Sequence, residues 1–330
     1  MRAAVCRAYG PPEVVGVEEV PDPVFGADEL LIRVTSSTVN RTTSCIRACI
    51  PAFAARPMYG FRRPRRPILG TDFAGVVEAV GHDVDGFAIG DRVFGFDDRR
   101  LGGHGELLAL PVAAGVLPIP DGVPDDTAAA AVEGGYYALG YIERADLASG
   151  QRALVHGGGG TIGTTAIQLL VAAGVEVVAV AEEHQRELMA DLGAAQVIDY
   201  RSEDFTAIGE TFDLVFDAVG KTSFHRCRPL LPADGMFMAT ELGPRLQNIR
   251  LSLTTRFGGG PRVHFPIPGK VRPQLKKVAA ALEDGSFKPV IDRTFHLDQI
   301  VDAYRYVDTE SKTGNVILRV GEPLVPSPGD

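Results

Sequence analysis

The sequence predicts an α/β protein: a doubly wound parallel sheet joined to a second, β-rich domain. Three observations predict it. Residues 153 to 183, ALVHGGGGTIGTTAIQLLVAAGVEVVAVAEE, pack a strand, a glycine turn, a helix and a second strand into one unit. Residues 1 to 120 alternate short β-type runs with turn signals. From Asp125 onward helical and strand patterns alternate, as a parallel sheet requires. A chain of 330 residues also exceeds what one hydrophobic core usually serves, so two domains are expected.

Taken in order, MRAAVCRAYG is a strand-like start, and ELLIRVTSSTV, FAGVVEAVG, DRVFGF and ELLALP are strands separated by Gly, Pro and Asp clusters. DDTAAAAVEGGYYALGYIERA is helical. Ala153 to Val155 is a short buried strand, Gly158-x-Gly160-x-x-Gly163 the turn, Thr164 to Ala173 a helix ended by Gly174, and Val175 to Val180 the second strand. Each glycine has its own duty: Gly158 permits the sharp turn, Gly160 lets backbone approach a pyrophosphate, and Gly163 lets helix and strand pack closely. The pyrophosphate then rests on the helix start at Thr161 and Ile162. Further strands follow at QVIDY, DLVFDAV and MFMAT, then a helix from Pro273 to Glu283 ended by Asp284-Gly285. Pro289 to Leu297 and Val316 to Val320 return to β-type sequence around the helical LDQIVDAYRYV. The expected division is 1–122 with 291–330 as the β-rich domain and 123–290 as the dinucleotide domain, with ligand outside the carboxyl ends of the parallel strands. The tail from Gly321 to Asp330, rich in Pro and Gly, is expected to fray.

A net charge of −9 argues against nucleic acid as a partner, because phosphate binding needs a basic face. The one basic run, Arg62-Arg63-Pro64-Arg65-Arg66, reads as a solvated loop, with anion steering as the lesser reading. Four cysteines in a chain of this length do not resemble a disulfide scaffold. With no export signal and no run of membrane-spanning length, the expectation is a cytoplasmic protein that acts on a small molecule, without membrane or nucleic-acid partners.

Several segments together resemble the medium-chain dehydrogenase/reductase superfamily, in its zinc-independent branch near the quinone oxidoreductases. They are MRAAVCRAYGPPEVVGVEEVPDP, VTSSTVN, PILGTDFAGVVEAVG, GDRVFGF, the glycine turn, LGAAQVIDYRSEDF, FDAVG and KTGNVIL. The resemblance implies a GroES-like catalytic domain built from both chain ends, a Rossmann domain between them, and a homodimer joined through Rossmann edge strands. Zinc-dependent relatives place ligands after Val39-Asn40, at the pair that is here Thr71-Asp72, and near Glu133. Thr is a poor zinc ligand, and Asp72 with Glu133 cannot complete a tetrahedral site, so no metal is expected. Cys45 and Cys49, four residues apart, read as packing residues, with metal binding as the lesser reading.

The coenzyme signals conflict. Glu182 and Glu183, followed by His184, stand where NADPH-using relatives carry Ser, Thr and a base; a carboxylate there accepts from ribose hydroxyls and repels a phosphate. Their bland alternative is a solvated helix start. Tyr200, with Arg186 and Arg201 nearby, matches the phosphate contacts of NADPH relatives. Family habit tips the expectation to NADPH, with NADH open. The resemblance also implies cofactor contacts at Gly220, at Leu242 within the Thr240 to Gly243 segment, at Phe265 and at Asn315.

Without a metal to polarise a carbonyl, hydride addition to a quinone or an α,β-unsaturated carbonyl is the natural chemistry. The alternatives are zinc-free alcohol dehydrogenation, or a cofactor-binding protein whose chemistry is lost or redox-neutral. Asn40 matches a family position beside the nicotinamide ribose, against a buried turn cap as its bland reading. Tyr136 and Tyr137 either face the cleft or pack in the core. Asp72 orients water or is a structural turn acid, and His104 sits at a substrate mouth or is simply solvated. Tyr59, in the insertion-like segment ACIPAFAARPMYGFRRPRRP, lines an apolar pocket or belongs to a packed loop.

Overall fold

The computed structural model describes residues 1–265 and 269–321, so the expectation of a frayed tail at 322–330 lies outside the described residues. The chain divides into two compact units, Met1–Glu133 with Lys270–Asp330, and Gly134–Gly269.

The first stretch of chain forms β1 (Arg2–Cys6), β2 (Val15–Glu19), β3 (Glu29–Thr38), α1 (Arg41–Ala48), α2 (Ala52–Tyr59), β4 (Asp72–Val80), β5 (Arg92–Phe96), β6 (Leu107–Pro111) and β7 (Val116–Pro118), and then α3 (Asp125–Ala145). The glycine-turn region supplies β8 (Arg152–His156), α4 (Thr161–Ala172), β9 (Glu176–Ala181), α5 (Arg186–Asp191), β10 (Gln196–Asp199), β11 (Leu214–Asp217), α6 (Phe224–Cys227), β12 (Met236–Ala239), α7 (Gln247–Thr254) and β13 (Arg262–His264). The chain closes with α8 (Val271–Glu283), β14 (Ile291–His296), α9 (Ile300–Asp308) and β15 (Asn315–Arg319).

In the first unit β3 is the axis of a seven-stranded sheet ordered β14-β15-β3-β4-β5-β7, with β6 pairing β3. Leu30, Ile32 and Val34 alternate along β3 into a core that also holds Ile300, Tyr304 and Val307 of α9. β14 and β15 are parallel to each other while β15 runs antiparallel to β3, so the C-terminal segment completes the sheet begun near the N-terminus.

The second unit is a fully parallel six-stranded sheet, β10-β9-β8-β11-β12-β13. Its strands are apolar on both faces, as a sheet covered on both sides requires. Ala153 and Val155 of β8 pack with Ala166, Ile167 and Leu170 of α4. Leu154 between them joins Phe205, Phe212 and Leu230 on the opposite face.

The units divide at 133/134 and 269/270, whereas the sequence reading placed the junctions at 122/123 and 290/291. The start of α3 is anchored to the first unit: Arg92 pairs with buried Asp125, and Arg319 lies 2.8 Å from buried Asp126. α8 packs on β7 of the same unit. Helical periodicity marks these helices without saying which sheet they cover.

Candidate active site and coenzyme cradle

β8 ends at His156 and hands over to four consecutive glycines. Gly157, not Gly158, takes the left-handed conformation, with φ +80°. The sharp turn therefore falls one residue earlier than the sequence motif suggested. Gly158 has a packing duty instead: a Cβ there would lie 3.2 to 3.3 Å from Met189, Ala179 and Ile167. The amides of both glycines donate to the Val180 carbonyl at 3.0 Å.

Gly160 is the N-cap of α4 and makes no side-chain cap, and Thr161, Ile162 and Gly163 form the first turn of the helix. A Cβ on Gly163 would stand 2.1 Å from the Gly157 carbonyl oxygen, so only glycine lets the helix close on the turn. At Gly160 the nearest atom is 3.6 Å away. One glycine is thus fixed by packing and the other leaves open space at a helix start, where amides and macrodipole favour an anion. The cradle fits a diphosphate.

The Glu182 carboxylate stands just beyond β9. It accepts from the Tyr200 hydroxyl at 2.9 Å and pairs with Arg201 at 3.0 Å, with His184 at 3.6 Å. Partial burial works to raise its pKa, but the hydrogen bonds from Arg201 and Tyr200 outweigh this and hold the carboxyl below its ordinary range. Exposed Glu183 is gripped by Arg186, with Nε 2.9 Å and Nη2 2.7 Å from its oxygens. Glu182 is therefore a held carboxylate, and Glu183 is the solvated one.

Gly220 is left-handed, with φ +71°. Its amide donates at 2.9 Å to fully buried Asp217, which also takes the Thr222 amide at 3.0 Å and contacts a His156 ring nitrogen at 3.1 Å. Leu242 and Phe265 are half-buried beyond the ends of β12 and β13. Tyr136 is buried, donates to the Gly269 carbonyl at 3.1 Å and lies 5.1 Å from the Tyr137 ring.

In the first unit the end of β3 and the start of β4 tie a buried polar knot. Asp72 accepts from the Thr38 amide at 2.7 Å, the Thr38 hydroxyl at 2.6 Å and Asn40 Nδ2 at 3.1 Å. Asn40 also donates to the Thr71 hydroxyl at 2.9 Å, while its Oδ1 caps α1 through the Thr43 amide at 2.8 Å. Burial, reinforced by the charge of Glu133, lifts the Asp72 carboxyl to about 7 against these donors. Glu133 is itself raised by burial and accepts from the Thr42 hydroxyl at 2.6 Å. Lys312, deeply surrounded and only partly open at its surface, is brought down to about 8 by burial, against the pull of Glu133 and Asp292.

The structure thus brings Asn40 and Asp72 together. Tyr59 lies apart on α2, its phenol pushed up by burial, and Asn315 spends its amide on the Val290 carbonyl at 2.9 Å. His104 is a correction to the solvated-loop expectation. It is fully buried, its Nε2 lies 2.9 Å from the Thr38 carbonyl, and burial lowers it to about 4. Short-range glycine content suggested mobility, but its loop is stitched to Leu69 and Gly70 by backbone hydrogen bonds. Sequence reasoning missed Thr38, Gly157 and Lys312; KTGNVIL was the available signal for the last.

Among the described residues, no three His, Cys, Asp or Glu side chains gather as a metal ion would need, and no helix is long and apolar enough to cross a membrane. Residues 26–121 match the family described as "Alcohol dehydrogenase GroES-like domain", and residues 192–318 match "Zinc-binding dehydrogenase". The chain is 30% identical to 2-methylene-furan-3-one reductase of Solanum lycopersicum, over 96% of this chain and 79% of that protein. It is 27% identical to acryloyl-coenzyme A reductase of Sulfurisphaera tokodaii, over 94% of this chain and 98% of that one. The fold superposes on a quinone oxidoreductase from Coxiella burnetii with a TM-score of 0.86 at 24% identity, covering 97% and 99% of the two chains. The glycine cradle, the two-unit architecture and these likenesses agree, and the chain belongs to the medium-chain dehydrogenase/reductase superfamily, in its quinone oxidoreductase-like branch.

Proposed function

We propose that the protein is an NAD(P)H-dependent reductase of a quinone or α,β-unsaturated carbonyl that works without zinc. The observation that carries the reading is the cradle at the start of α4, where Gly163 is closed by packing and Gly160 is left open. Two relatives whose names describe reductases of a conjugated ketone and a conjugated thioester support the substrate class. Bound here, the coenzyme supplies a hydride.

The chain's own residues do the rest. Amides of Thr161, Ile162 and Gly163 hold the diphosphate, and the ends of β11, β12 and β13, with Gly220, Leu242 and Phe265, shape the remainder of the coenzyme groove. Asn40, locked by Thr43 and Thr71, gives a fixed floor, and Asp72 holds or releases a proton beside it near neutral pH. The donor set speaks for zinc-free work: Thr71, Asp72 and Glu133 spend their oxygens on Asn40, Thr38 and Thr42, and these residues do not fit a tetrahedral zinc site. Tyr136 and Tyr137 remain proposed contributors of the second unit, and Tyr59 of the first.

Between coenzymes, Tyr200 and Arg201 favour NADPH, the expectation from family habit, while Glu182 favours NADH. The carboxylate already occupies both of those partners, and a 2′-phosphate would have to displace it against charge repulsion. The resting geometry therefore weighs toward NADH. We also read the protein as a homodimer through β13 and, from four cysteines that form no disulfide, as cytoplasmic.

The test follows coenzyme oxidation by purified protein, with NADH and NADPH in parallel, against quinones, enones and aldehydes, with and without a chelator. Chelator-insensitive turnover of enones or quinones is expected. Turnover of aldehydes alone, or coenzyme binding with no turnover, overturns the reading.

A further inference from the structure

From Leu30 to Thr71 the chain carries eight arginines and no acidic residue, in a protein whose net charge is −9. Arg33, Arg41 and Arg47 find carboxylates elsewhere in the unit, at Glu78, Glu310 and Asp308. Arg62, Arg63, Arg65 and Arg66 follow α2 and form no ion pair among the described residues. Arg65 donates instead to the Pro57 carbonyl at 3.2 Å and Arg66 to that of Arg100 at 3.4 Å.

The four arginines of the run are exposed, as a solvated loop requires, and three of them also line hollows in the first unit. Arg65, Arg66 and Arg99 line a cavity of about 420 Å³ with Met58, Tyr59 and Leu101. A second hollow of about 420 Å³, lined by Arg7, Arg63 and Arg65, adjoins it. Two acids lie close. Asp97 is committed to the amides of Arg99 and Arg100 at 2.8 Å, and burial and Asp97 push the Asp98 carboxyl up while Arg99 pulls it down, so three arginines face two acids. The cavity keeps an excess of positive charge, which costs self-repulsion and is relieved by a bound anion.

Guanidinium groups match phosphate oxygens bidentately, and three around one cavity suit a group with more than a single negative charge. The wall of the cavity is also tied to the Asn40–Asp72 knot. Leu101 donates to the Asp97 carbonyl at 3.2 Å, and the Asp97 amide donates at 2.8 Å to Thr71, whose hydroxyl receives Asn40.

We propose that the Arg65, Arg66 and Arg99 cavity binds phosphate groups of a nucleotide-linked acyl thioester, so that the substrate is a conjugated thioester on a nucleotide carrier rather than a free enone. The inference rests on the reductase reading above. The C=C bond gains a hydride from the reduced coenzyme and a proton from water, and the thioester bond stays intact.

The test compares kcat/KM for crotonyl-CoA and for S-crotonyl-N-acetylcysteamine, which carries the same acyl group without the nucleotide, at saturating reduced coenzyme. The nucleotide thioester should be preferred by at least about tenfold. The R65Q/R99Q variant, and R99Q alone in case the pair disturbs folding, should erase most of that preference through KM while leaving the short thioester within about twofold. Equal use of the two thioesters by wild type, or an equal loss on both in the variants, overturns the proposal. Should no enone, quinone or thioester be reduced, the reductase reading fails, and calorimetry with adenosine 3′,5′-bisphosphate still judges the cavity. Binding that weakens at least about tenfold in R65Q/R99Q supports a nucleotide-phosphate site. No binding, or binding no tighter than that of inorganic pyrophosphate, overturns it.

Discussion

Asp72 takes a carboxyl fully out of water into a ring of hydroxyl and amide donors. Its folded value of about 7 against an ordinary 3.8 means that the unfolded chain releases this proton first as pH rises. Stability from this group is thus complete below about pH 4 and declines as pH climbs toward 7, by at most about 4 kcal/mol at roughly 1.4 kcal/mol per pH unit. His104 works in the opposite sense. Folded it is neutral down to about pH 4, whereas unfolded it protonates near 6.5, so acidification through that window costs stability. The wild-type melting profile mixes both, and a difference profile separates them. Subtracting the melting temperatures of Asp72→Asn from those of wild type should give a difference that falls between pH 4 and 7; a flat difference removes the buried-acid account. A second residue-scale outcome concerns Glu182→Ser, which frees Tyr200 and Arg201. The kcat/KM ratio of NADPH to NADH should rise by at least about tenfold, and an unchanged ratio would show that the carboxylate does not select the coenzyme. Only part of this was legible in the residues. Glu182 and Tyr200 were visible as a conflict, but their contact joins the end of β9 to the segment after β10, which no local pattern shows.

The α4 element separates fold from ligand through two glycines three residues apart. Gly163→Ala forces a Cβ to 2.1 Å from backbone and should cost about 1–3 kcal/mol of stability, seen as a lowered melting temperature together with lost coenzyme binding. Gly160→Ala meets nothing nearer than 3.6 Å, so the melting temperature should hold while coenzyme Kd in a fluorescence titration rises by about tenfold or more. A Gly160→Ala protein that binds coenzyme normally would place the diphosphate elsewhere. Long periodic elements such as α3 and the strands of both sheets were legible because each shows its buried face within its own sequence. α2 was not. Pro51 before it and Pro57 within it read as loop punctuation, and what the helix buries is little more than Ala55. Gly157 was similarly hidden within a run of four glycines, where composition alone does not reveal which φ turns positive.

For the whole molecule, β13 is an edge strand that among the described residues pairs only with β12, and α7 packs beside it. Ile249, Leu253 and Phe257 lie exposed four residues apart along this face, with Phe257 93% exposed. Such an edge with an apolar stripe invites a second copy. Sedimentation should give twice the 35.1 kDa chain mass, and Leu253→Glu should shift the protein to a monomer; a wild-type monomer ends the dimer proposal. The sequence by itself determined the strand and helix periodicities, the glycine turn and the family, because backbone preference and one-sided burial act over a few neighbouring residues. Tertiary structure alone decided that Thr38 and Asn40 meet Asp72 across the β3–β4 pair, that His104 is sealed from water, and that the exposed side chains of Arg63, Arg65 and Arg66 line two adjoining hollows. Those outcomes depend on strand register and on what lies over a loop in space, which pairs residues dozens of positions apart and leaves no local pattern to read.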